Sequence, residues 1–248
     1  MKLTSLIAAA ALTVAASGTA FAEEYKIGVD ASFPPFSEVK GDGSVVGLEV
    51  DFINELCTRI DAECEIVPMQ FDALISGLQA RKIDMIIGSM SITGERAKVI
   101  NFSDRYYNAP IQFVTRFDAP SDMAADAVIG VERGSISATY ADNELKSATV
   151  KTYDAQLAAM KDLEVGRVDY VLGDLLTIYD WLEEGAKAQF ILTGESISDP
   201  AFVGDGIGIG LRKSDDELLA TVNAAIAGIA DDGTFDEITS DYFPFSIR

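Results

Sequence analysis

Short runs of apolar, β-branched residues alternate with helix-like segments along the chain, and this alternation restricts the possible folds more than any other feature of the sequence. Short apolar runs of this kind are typical of buried strands. Strands that alternate with helices are typical of α/β units with largely parallel sheets. The predicted strands cover residues 25–29, 83–87, 127–131, 168–172 and 206–211.

Two of the intervening segments have the apolar spacing of amphipathic helices. Ser214 and Glu217 predict a capping box before the second of them, and Thr234 with Glu237 predicts a capped helix after it. A Gly-rich segment at 41–44 predicts a hairpin turn. The two apolar faces are Phe52, Ile53, Leu56, Cys57 and Ile60, and Leu218, Leu219, Val222, Ile226 and Ile229.

Three short segments from the first half of the chain recur in the same order in the second half. The spacing between the copies is far longer than that of a solenoid repeat, so the recurrence predicts two similar α/β lobes. Each match alone is short enough to arise by chance, and the inference depends on their shared order. The pairs are 27–30 with 129–132, 71–73 with 153–155, and 83–89 with 168–174.

Four polar residues, Asp30, Ser89, Glu132 and Asp174, stand at the ends of predicted strands. Ligands of open α/β sheets bind beyond the carboxyl ends of the strands. Two facing lobes would therefore place all four residues on the walls of one cleft. A single acid at such a position is more often a helix cap, and it is the equivalent placement of the four that favours a binding site.

Residues 88–96 combine a helix start with a cation. Thr93 is the predicted cap, and Arg96 lies in the first helical turn. Free N–H groups and a forked guanidinium together favour a bound carboxylate. The alternative is a surface ion pair between Arg96 and Glu95 or Asp104.

A second helix start, at 134–137, would add N–H donors from the other lobe. Asp174 supplies the negative charge that an ammonium group requires, and the Ser89 carbonyl and the Ser91 hydroxyl complete its three hydrogen bonds. A carboxylate site beside an ammonium site predicts an α-amino acid as the ligand.

Asp30 and Glu132 remain for the side chain of that ligand. Two carboxylates aimed at one pocket favour a cationic group between them. Phe33 and Phe71 could stack on a guanidinium or enclose methylene groups. Ordinary core packing explains both rings equally well.

The charge of the chain narrows its partners. There are 19 Lys and Arg against 40 Asp and Glu, a formal charge of −21, which argues against a nucleic-acid partner. The chain has no His, which excludes Ser-His-Asp and Cys-His catalysis and imidazole-based zinc sites. We expect no metal site and no cofactor.

Residues 1–22 have the pattern of a cleaved secretory signal peptide. A basic start precedes an apolar stretch at 6–16, and a small-x-small motif at 20–22 puts the mature N-terminus at Glu23. A membrane anchor is the alternative, but the apolar stretch is too short to span a bilayer. We expect an exported, soluble, periplasmic protein.

Cys57 and Cys64 are the two cysteines of the chain. An exported pair is usually bridged, whereas two thiols without nearby histidines are poor zinc ligands and a catalytic dithiol has closer spacing. A continuous helix would hold their Cα atoms about 10 Å apart, too far for a bridge. A disulfide therefore requires the helix to end between them, with a turn at 60–63.

Five motifs resemble the polar amino-acid-binding proteins of ABC importers. Within that family the sequence is similar to the histidine-binding and lysine/arginine/ornithine-binding branch, including the spacing of the cysteines. The resemblance extends over essentially the whole mature chain. It implies an α/β, type II periplasmic-binding fold, in which two lobes close on a ligand in the cleft and dock onto an inner-membrane ABC permease. The motifs are Asp-Ala-Ser-Phe-Pro-Pro-Phe at 30–36, Gly-Leu-Glu-Val-Asp at 47–51, the segment 89–96, Asn-Phe-Ser-Asp at 101–104 and Asp-Asp-Gly-Thr-Phe at 231–235.

The resemblance implies the same roles as the residues themselves. Arg96 resembles the carboxylate clamp, Asp174 the ammonium partner and Asp30 the side-chain acid. The predicted ligand site comprises Asp30, Phe33, Phe71, Gly88, Ser89, Met90, Ser91, Arg96, Glu132, Ile136, Ser137 and Asp174.

Three positions depart from the branch. Phe33 stands where tyrosine is frequent, Gly88 where serine is found, and Ile-Ser at 136–137 where a Thr-Gln type pair occurs. These changes keep the site for the amino-acid backbone but leave the side-chain specificity open. Asp30 also occurs in glutamine binders, whereas Glu132 stands where a glutamine-binding relative has lysine. Glu132 therefore favours arginine, lysine, ornithine or histidine.

Lobe 1 is predicted to comprise residues 23–109 and 204–248, and lobe 2 residues 110–203. The crossings are predicted near 108–110 and 203–205, where small residues can absorb a hinge rotation. We expect a monomer that delivers its ligand to the permease and is not an enzyme. The alternatives are a periplasmic arogenate or prephenate dehydratase on the same fold, a glutamine binder and an opine binder.

Overall fold

The computed structural model describes residues 23–119 and 123–248. The predicted signal peptide at 1–22 lies outside the described residues. None of the helices in the described part of the chain is long and apolar enough to cross a membrane.

The β-structure of the described residues forms two five-stranded sheets and one three-stranded sheet. In chain order the strands are β1 (Glu23–Val29), β2 (Ser32–Phe33), β3 (Ser37–Val39), β4 (Val45–Val46), β5 (Ala62–Pro68), β6 (Met85–Ile86), β7 (Asn101–Phe102), β8 (Ile111–Arg116), β9 (Val128–Glu132), β10 (Thr149–Tyr153), β11 (Tyr170–Asp174), β12 (Phe190–Ile197) and β13 (Gly210–Leu211).

Each large sheet is the centre of one lobe. The sheet of lobe 1 has the order β5-β1-β6-β13-β7, and that of lobe 2 has the order β10-β9-β11-β8-β12. The small sheet, β2-β3-β4, includes the predicted hairpin, whose turn at 41–44 is closed by the Lys40 N–H donating to the Ser44 carbonyl. The two-lobe α/β architecture is as predicted.

The sheets are mixed, whereas the sequence predicted largely parallel ones. The strands β1 and β9 each pair in parallel with both neighbours. In contrast, β8 and β13 pair antiparallel with theirs. Both β8 and β13 receive the chain from the other lobe, so they are not preceded by the helical crossover that makes neighbouring strands parallel.

The predicted strand at 206–211 is the least accurate of the five. Its second part forms β13, but Ile207 makes only isolated bridges, to Ser91 and to Tyr107. The Ile207 N–H donates to the Tyr107 carbonyl at 2.9 Å, and the Tyr106 N–H donates to the Ile207 carbonyl at 3.1 Å. The two stretches of chain that pass between the lobes therefore lie side by side.

Helices cover the faces of both large sheets, and apolar side chains pack on both faces of each sheet. The α-helices of the described residues are α1 (Leu48–Arg59), α2 (Leu74–Gln79), α3 (Gly94–Ala97), α4 (Ile136–Glu144), α5 (Gln156–Glu164), α6 (Leu175–Glu183), α7 (Pro200–Val203), α8 (Asp216–Asp231) and α9 (Thr234–Ser240), with 3-10 turns at Phe71–Ala73 and Ala186–Ala188.

Both amphipathic helices form, as α1 and α8, but two predicted caps are wrong. Ser214 donates its hydroxyl to Asp215 Oδ1 instead of capping α8. Thr234 is the first residue of α9, and Asp232 Oδ1 accepts hydrogen bonds from both its N–H and its hydroxyl. In both cases the hydroxyl donates to a neighbouring aspartate carboxylate, which is a strong acceptor, and it accepts no hydrogen bond from an amide of the helix.

Cys57 and Cys64 form the predicted disulfide, with their Cα atoms 6.3 Å apart. The helix α1 ends at Arg59, and Asp61 adopts a left-handed φ of 54°. The reversal is shorter than predicted, since β5 already begins at Ala62.

Candidate functional site

A cavity lies between the two lobes. Both lobes contribute to its wall. Ten of the twelve predicted ligand residues border it, whereas Asp30 and Met90 do not. The lining residues are Phe33, Phe71, Gly88, Ser89, Ser91, Arg96, Ala109, Ile111, Glu132, Ser135, Ile136, Ser137, Gln156 and Asp174.

Arg96 spans the cleft from lobe 1. Thr93 caps α3, as predicted, by accepting a hydrogen bond of 3.3 Å from the Arg96 N–H. The guanidinium Nη1 donates to the Ser91 carbonyl at 3.0 Å, and Nη2 donates to the Gly134 carbonyl of lobe 2 at 3.0 Å. The cation is thus fixed at the junction of the two lobes.

The alternative surface ion pair of Arg96 does not form, because Glu95 pairs with Lys98. Instead, the guanidinium carbon lies 5.3 Å from the centroid of the Phe71 ring. Burial lowers the pKa of Arg96 to about 10, and the Glu132 carboxylate opposes that effect. The guanidinium therefore stays charged at neutral pH.

Ser89 adopts a left-handed φ of 48° directly after β6 and Gly88. Its N–H donates to Glu49 Oε1 at 2.8 Å, and its hydroxyl lies 2.6 Å from the Tyr107 hydroxyl. Such a backbone conformation is strained for a residue with a Cβ. The Glu49 acceptor compensates by satisfying the buried amide.

Sequence analysis missed Glu49 as part of this arrangement. The Tyr106 hydroxyl donates to Glu49 Oε1 at 2.8 Å, so the carboxyl joins Ser89 to the first crossing. Glu49 is fully buried, and burial raises its pKa to about 7 although its hydrogen bonds act in the opposite direction. The sequence does contain one indication of this role, because Glu49 lies at the start of the apolar face of α1, three residues before Phe52.

Asp174 ends β11 and also caps α6. Its Oδ1 accepts a hydrogen bond of 2.9 Å from the Thr177 N–H. The same residue therefore caps the helix and borders the cavity. Gln156, which sequence analysis missed, accepts from the Asp174 N–H at 2.7 Å and donates to the Asp174 carbonyl at 3.2 Å. Burial raises the pKa of Asp174 to about 6.

Asp30 directly follows β1, and Glu132 ends the equivalent strand β9 of the other lobe. Their carboxyl groups lie close enough for the charge of Asp30 to raise the pKa of Glu132. Both are buried, with 2% and 5% of their surface exposed. Asp30 Oδ1 accepts hydrogen bonds from the Ser32 N–H at 3.1 Å and hydroxyl at 2.6 Å. Asp30 does not border the cavity, whereas its neighbour Glu132 does.

The aromatic and apolar members of the predicted site have different environments. Phe33 stacks on Phe36 with ring centroids 5.7 Å apart, and Phe71 supports Arg96 while it also packs in the core of lobe 1. Met90 is 1% exposed and belongs to that same core. Met90 therefore packs away from the cavity, and its contact with a ligand stays a prediction.

The start of α4 forms the lobe 2 side of the cavity. Ser135 caps this helix by accepting a hydrogen bond of 3.1 Å from the Ala138 N–H, and Ile136 and Ser137 border the cavity beside it. Within the described residues, no group of three or more His, Cys, Asp or Glu side chains is arranged to hold a metal ion. The wall of the cavity presents the start of α4, one guanidinium and carboxyl groups.

Two open α/β sheets, joined by two adjacent crossings around a buried and charged cavity, define a two-lobe solute-binding protein. The model of the bacterial extracellular solute-binding proteins, family 3, matches residues 25–245 of the chain. The chain belongs to this family.

Named relatives cover nearly the whole chain. It is 38% identical over 255 residues to the L-arginine-binding protein of Pseudomonas aeruginosa, covering 100% of this chain and 98% of the relative. It is 37% identical over 242 residues to the lysine/arginine/ornithine-binding periplasmic protein of Escherichia coli K12, covering 95% and 93%. A solved periplasmic binding protein of Salmonella typhimurium with high arginine specificity superimposes with a TM-score of 0.83 at 30% identity, covering 90% of this chain and 100% of the other.

Proposed function

We propose that this protein binds a polar, cationic L-amino acid (arginine, lysine, ornithine or histidine) in the periplasm and delivers it to an inner-membrane ABC permease. The observation that carries the proposal is the presence of Arg96 and Asp174 in the wall of one interlobe cavity. A guanidinium from lobe 1 and a carboxylate from lobe 2, lining the same cavity, match the two charges of an α-amino acid.

Arg96 binds the ligand carboxylate in this proposal. Its guanidinium lies beside the start of α4, and both the fork of the guanidinium and free N–H groups at a helix start favour a carboxylate. Ser137, on the first turn of α4, borders the same cavity. The carboxylate would then contact both lobes at once.

Asp174 binds the ammonium group, together with Ser89 and Ser91. Asp174 Oδ1 is occupied by the Thr177 amide, which leaves Oδ2 for the ligand. Burial raises the pKa of Asp174 to about 6, so it is ionised at neutral pH. An ammonium group beside it would lower that pKa and strengthen the pair.

Asp30, Glu132 and the two phenylalanines enclose the ligand side chain. Two acids in contact, buried away from water, favour a positive group between them. The names of the relatives support the same conclusion, because they bind arginine or a set of cationic amino acids. The same two acids would repel the carboxylates of a dehydratase substrate, so we propose binding and not catalysis.

Ligand capture requires the lobes to open. We propose that lobe 1 comprises 23–109 and 204–248, that lobe 2 comprises 110–203, and that the crossings at 108–110 and 203–205 act as the hinge. The pairing of Ile207 with Tyr107 supports a coupled hinge, since both crossings must move together. We further propose a monomer, exported through cleavage of residues 1–22.

Calorimetric titration with arginine, lysine, ornithine, histidine and glutamine tests the proposed function. We expect one binding site and tighter binding of at least one cationic ligand than of glutamine. The Glu132→Gln variant keeps the shape of the side chain but removes its charge. It should therefore reduce the difference in affinity between cationic ligands and glutamine. Preference of the wild-type protein for glutamine, or binding of none of the five, contradicts the proposal.

A further inference from the structure

Asp30 and Glu132 form a carboxyl pair that joins the two lobes. Asp30 follows β1 in lobe 1, and Glu132 ends β9 in lobe 2. Asp30 Oδ2 and Glu132 Oε1 are buried atoms without a hydrogen-bond donor among the described residues. The two carboxyl groups interact with each other, so a proton shared between them would satisfy both atoms.

The surrounding charges do not neutralise this pair. Asp174 faces Glu132 from β11 and adds to the negative charge, and Arg96 on α3 is the nearby cation. On the other elements, the backbone of Gln156 at the start of α5 partly opposes the rise in the pKa of Glu132, and the Ser32 N–H donates to Asp30 at 3.1 Å.

The other charged groups near the pair bind to partners of their own. Arg133, which follows Glu132, pairs with Asp154 at 2.5 Å. Tyr107 and Glu49 lie behind Ser89 and bond to each other at 3.3 Å. The described part of the cleft thus holds three carboxyl groups, Asp30, Glu132 and Asp174, against the single guanidinium of Arg96.

Charge balance then depends on the ligand. A zwitterion with a neutral side chain adds no net charge, so the closed cleft would confine two unneutralised carboxylates in contact. Burial and mutual repulsion raise the pKa of Glu132 well above its ordinary value, and burial raises that of Asp30. One of two such carboxyl groups keeps a proton. A cationic side chain supplies the same positive charge without a proton.

We propose that a proton shared by Asp30 and Glu132 and a cationic ligand side chain beside Glu132 are alternative ways of neutralising this carboxyl pair. Closure on an amino acid with a neutral side chain takes up a proton, whereas closure on a cationic amino acid does not. This inference rests on the proposed function and adds to it a pH-dependent selectivity. The protein discriminates strongly against neutral ligands at neutral pH and weakly in acid.

The direction in which ligand affinity changes with pH follows from proton linkage. In the proposed cycle, opening hydrates the two acids, so that they titrate near the ordinary value of a free carboxyl group, about 4. Above that pH, closing on a neutral ligand binds about one proton, so its Kd rises about tenfold for each pH unit. The Kd of a cationic ligand stays nearly constant because no proton is exchanged.

Arginine and citrulline make the test, because citrulline has nearly the shape of arginine without its charge. Calorimetry at about pH 5.5 and about pH 7.5, in two buffers of different ionisation enthalpy, gives both the affinities and the protons exchanged. We expect the ratio of the two Kd values to rise about a hundredfold over this interval, with uptake of about one proton by citrulline alone.

Glu132→Gln mimics the protonated acid and separates this mechanism from a general effect of pH. Citrulline should bind this variant at both pH values with the affinity that the wild type has in acid, without proton uptake, and arginine should bind less tightly than to the wild type. Glu195→Gln, at an exposed position of the same lobe, is the matched control and should behave as the wild type.

The outcomes separate the two proposals. Arginine binding with a Kd ratio that is unchanged between the two pH values, with no proton uptake by citrulline, overturns the proton exchange and leaves the proposed function intact. If citrulline fails to bind in acid while arginine binds, the proton exchange is likewise overturned and the proposed function is not. Failure of every cationic amino acid to bind at either pH overturns both.

Discussion

Arg96 of lobe 1 donates a hydrogen bond of 3.0 Å from Nη2 to the carbonyl oxygen of Gly134 in lobe 2. Gly134 directly precedes Ser135, the residue that caps α4. The residue proposed to bind the ligand carboxylate therefore also makes a contact between the lobes. In the proposed function, closure and ligand recognition use the same guanidinium, which links affinity to the closed form.

Arg96→Ala should weaken the binding of arginine by about 3–5 kcal/mol, or two to three decades or more in Kd. The reason is that the ligand carboxylate would be buried without a charged partner. Calorimetry measures the change, and Arg81→Ala, at an exposed position after α2, is the control. Unchanged affinity in the Arg96 variant would exclude it from the carboxylate site.

Asp174→Asn should abolish most of the affinity without destabilising the protein. Asparagine can still accept the Thr177 amide as a cap of α6, but it offers no charge to an ammonium group. We expect at least a hundredfold weaker arginine binding, about 3 kcal/mol, at an unchanged or higher melting temperature. Asp199→Asn is the matched control, because Asp199 caps α7 through the Ala201 N–H and does not border the cavity. Full affinity in the Asp174 variant would contradict the proposed ammonium site.

The empty protein should lose stability as the pH rises from about 4.5 to about 7. Glu49 has a pKa raised from 4.5 to about 7 by burial, so folding takes up a proton in this interval and the free energy of unfolding falls with rising pH. Its share is about 3 kcal/mol. Asp174, whose pKa is raised to about 6, acts in the same direction.

Glu49→Gln isolates this contribution. Glutamine still accepts the Ser89 amide but does not titrate, so urea denaturation at several pH values should show a smaller slope than the wild type. Glu63→Gln, at an exposed position of β5, should keep the wild-type slope. Equal slopes in the Glu49 variant and the wild type would mean that Glu49 does not titrate in this range.

Removal of the disulfide should affect stability and not binding. Cys57 and Cys64 close a loop with a sequence separation of 7, for which loop-closure entropy predicts a loss of about 2.5 kcal/mol. The double serine variant should unfold at lower urea concentration and bind the ligand with wild-type Kd, since neither cysteine borders the cavity. A large loss of affinity in a folded variant would contradict this separation.

The sequence predicted those features that depend on local chain geometry. The cap of Thr93 on the helix of Arg96 spans three residues, and a strand end marks Asp174. The recurrence of strand ends in the second half of the chain indicated that the acids of both lobes would meet. The recurring segments, together with the family motifs, also predicted the two-lobe fold.

The features that it did not predict depend on tertiary contacts. Glu49 meets Ser89 and Tyr107 across 40 and 58 residues of chain, and no local pattern indicates which buried acid will find such donors. Gln156 reaches Asp174 only because α5 packs on the end of β11. The left-handed conformation of Ser89 likewise has no local signal in the sequence.

A crystal structure of the protein with bound arginine tests the central claim most directly. The account predicts the ligand carboxylate within hydrogen-bonding distance of the Arg96 guanidinium, its ammonium group within the same distance of Asp174, and its guanidinium at Asp30 and Glu132. A ligand bound with its carboxylate away from Arg96 and its ammonium group away from Asp174, or bound outside the interlobe cavity, would contradict it.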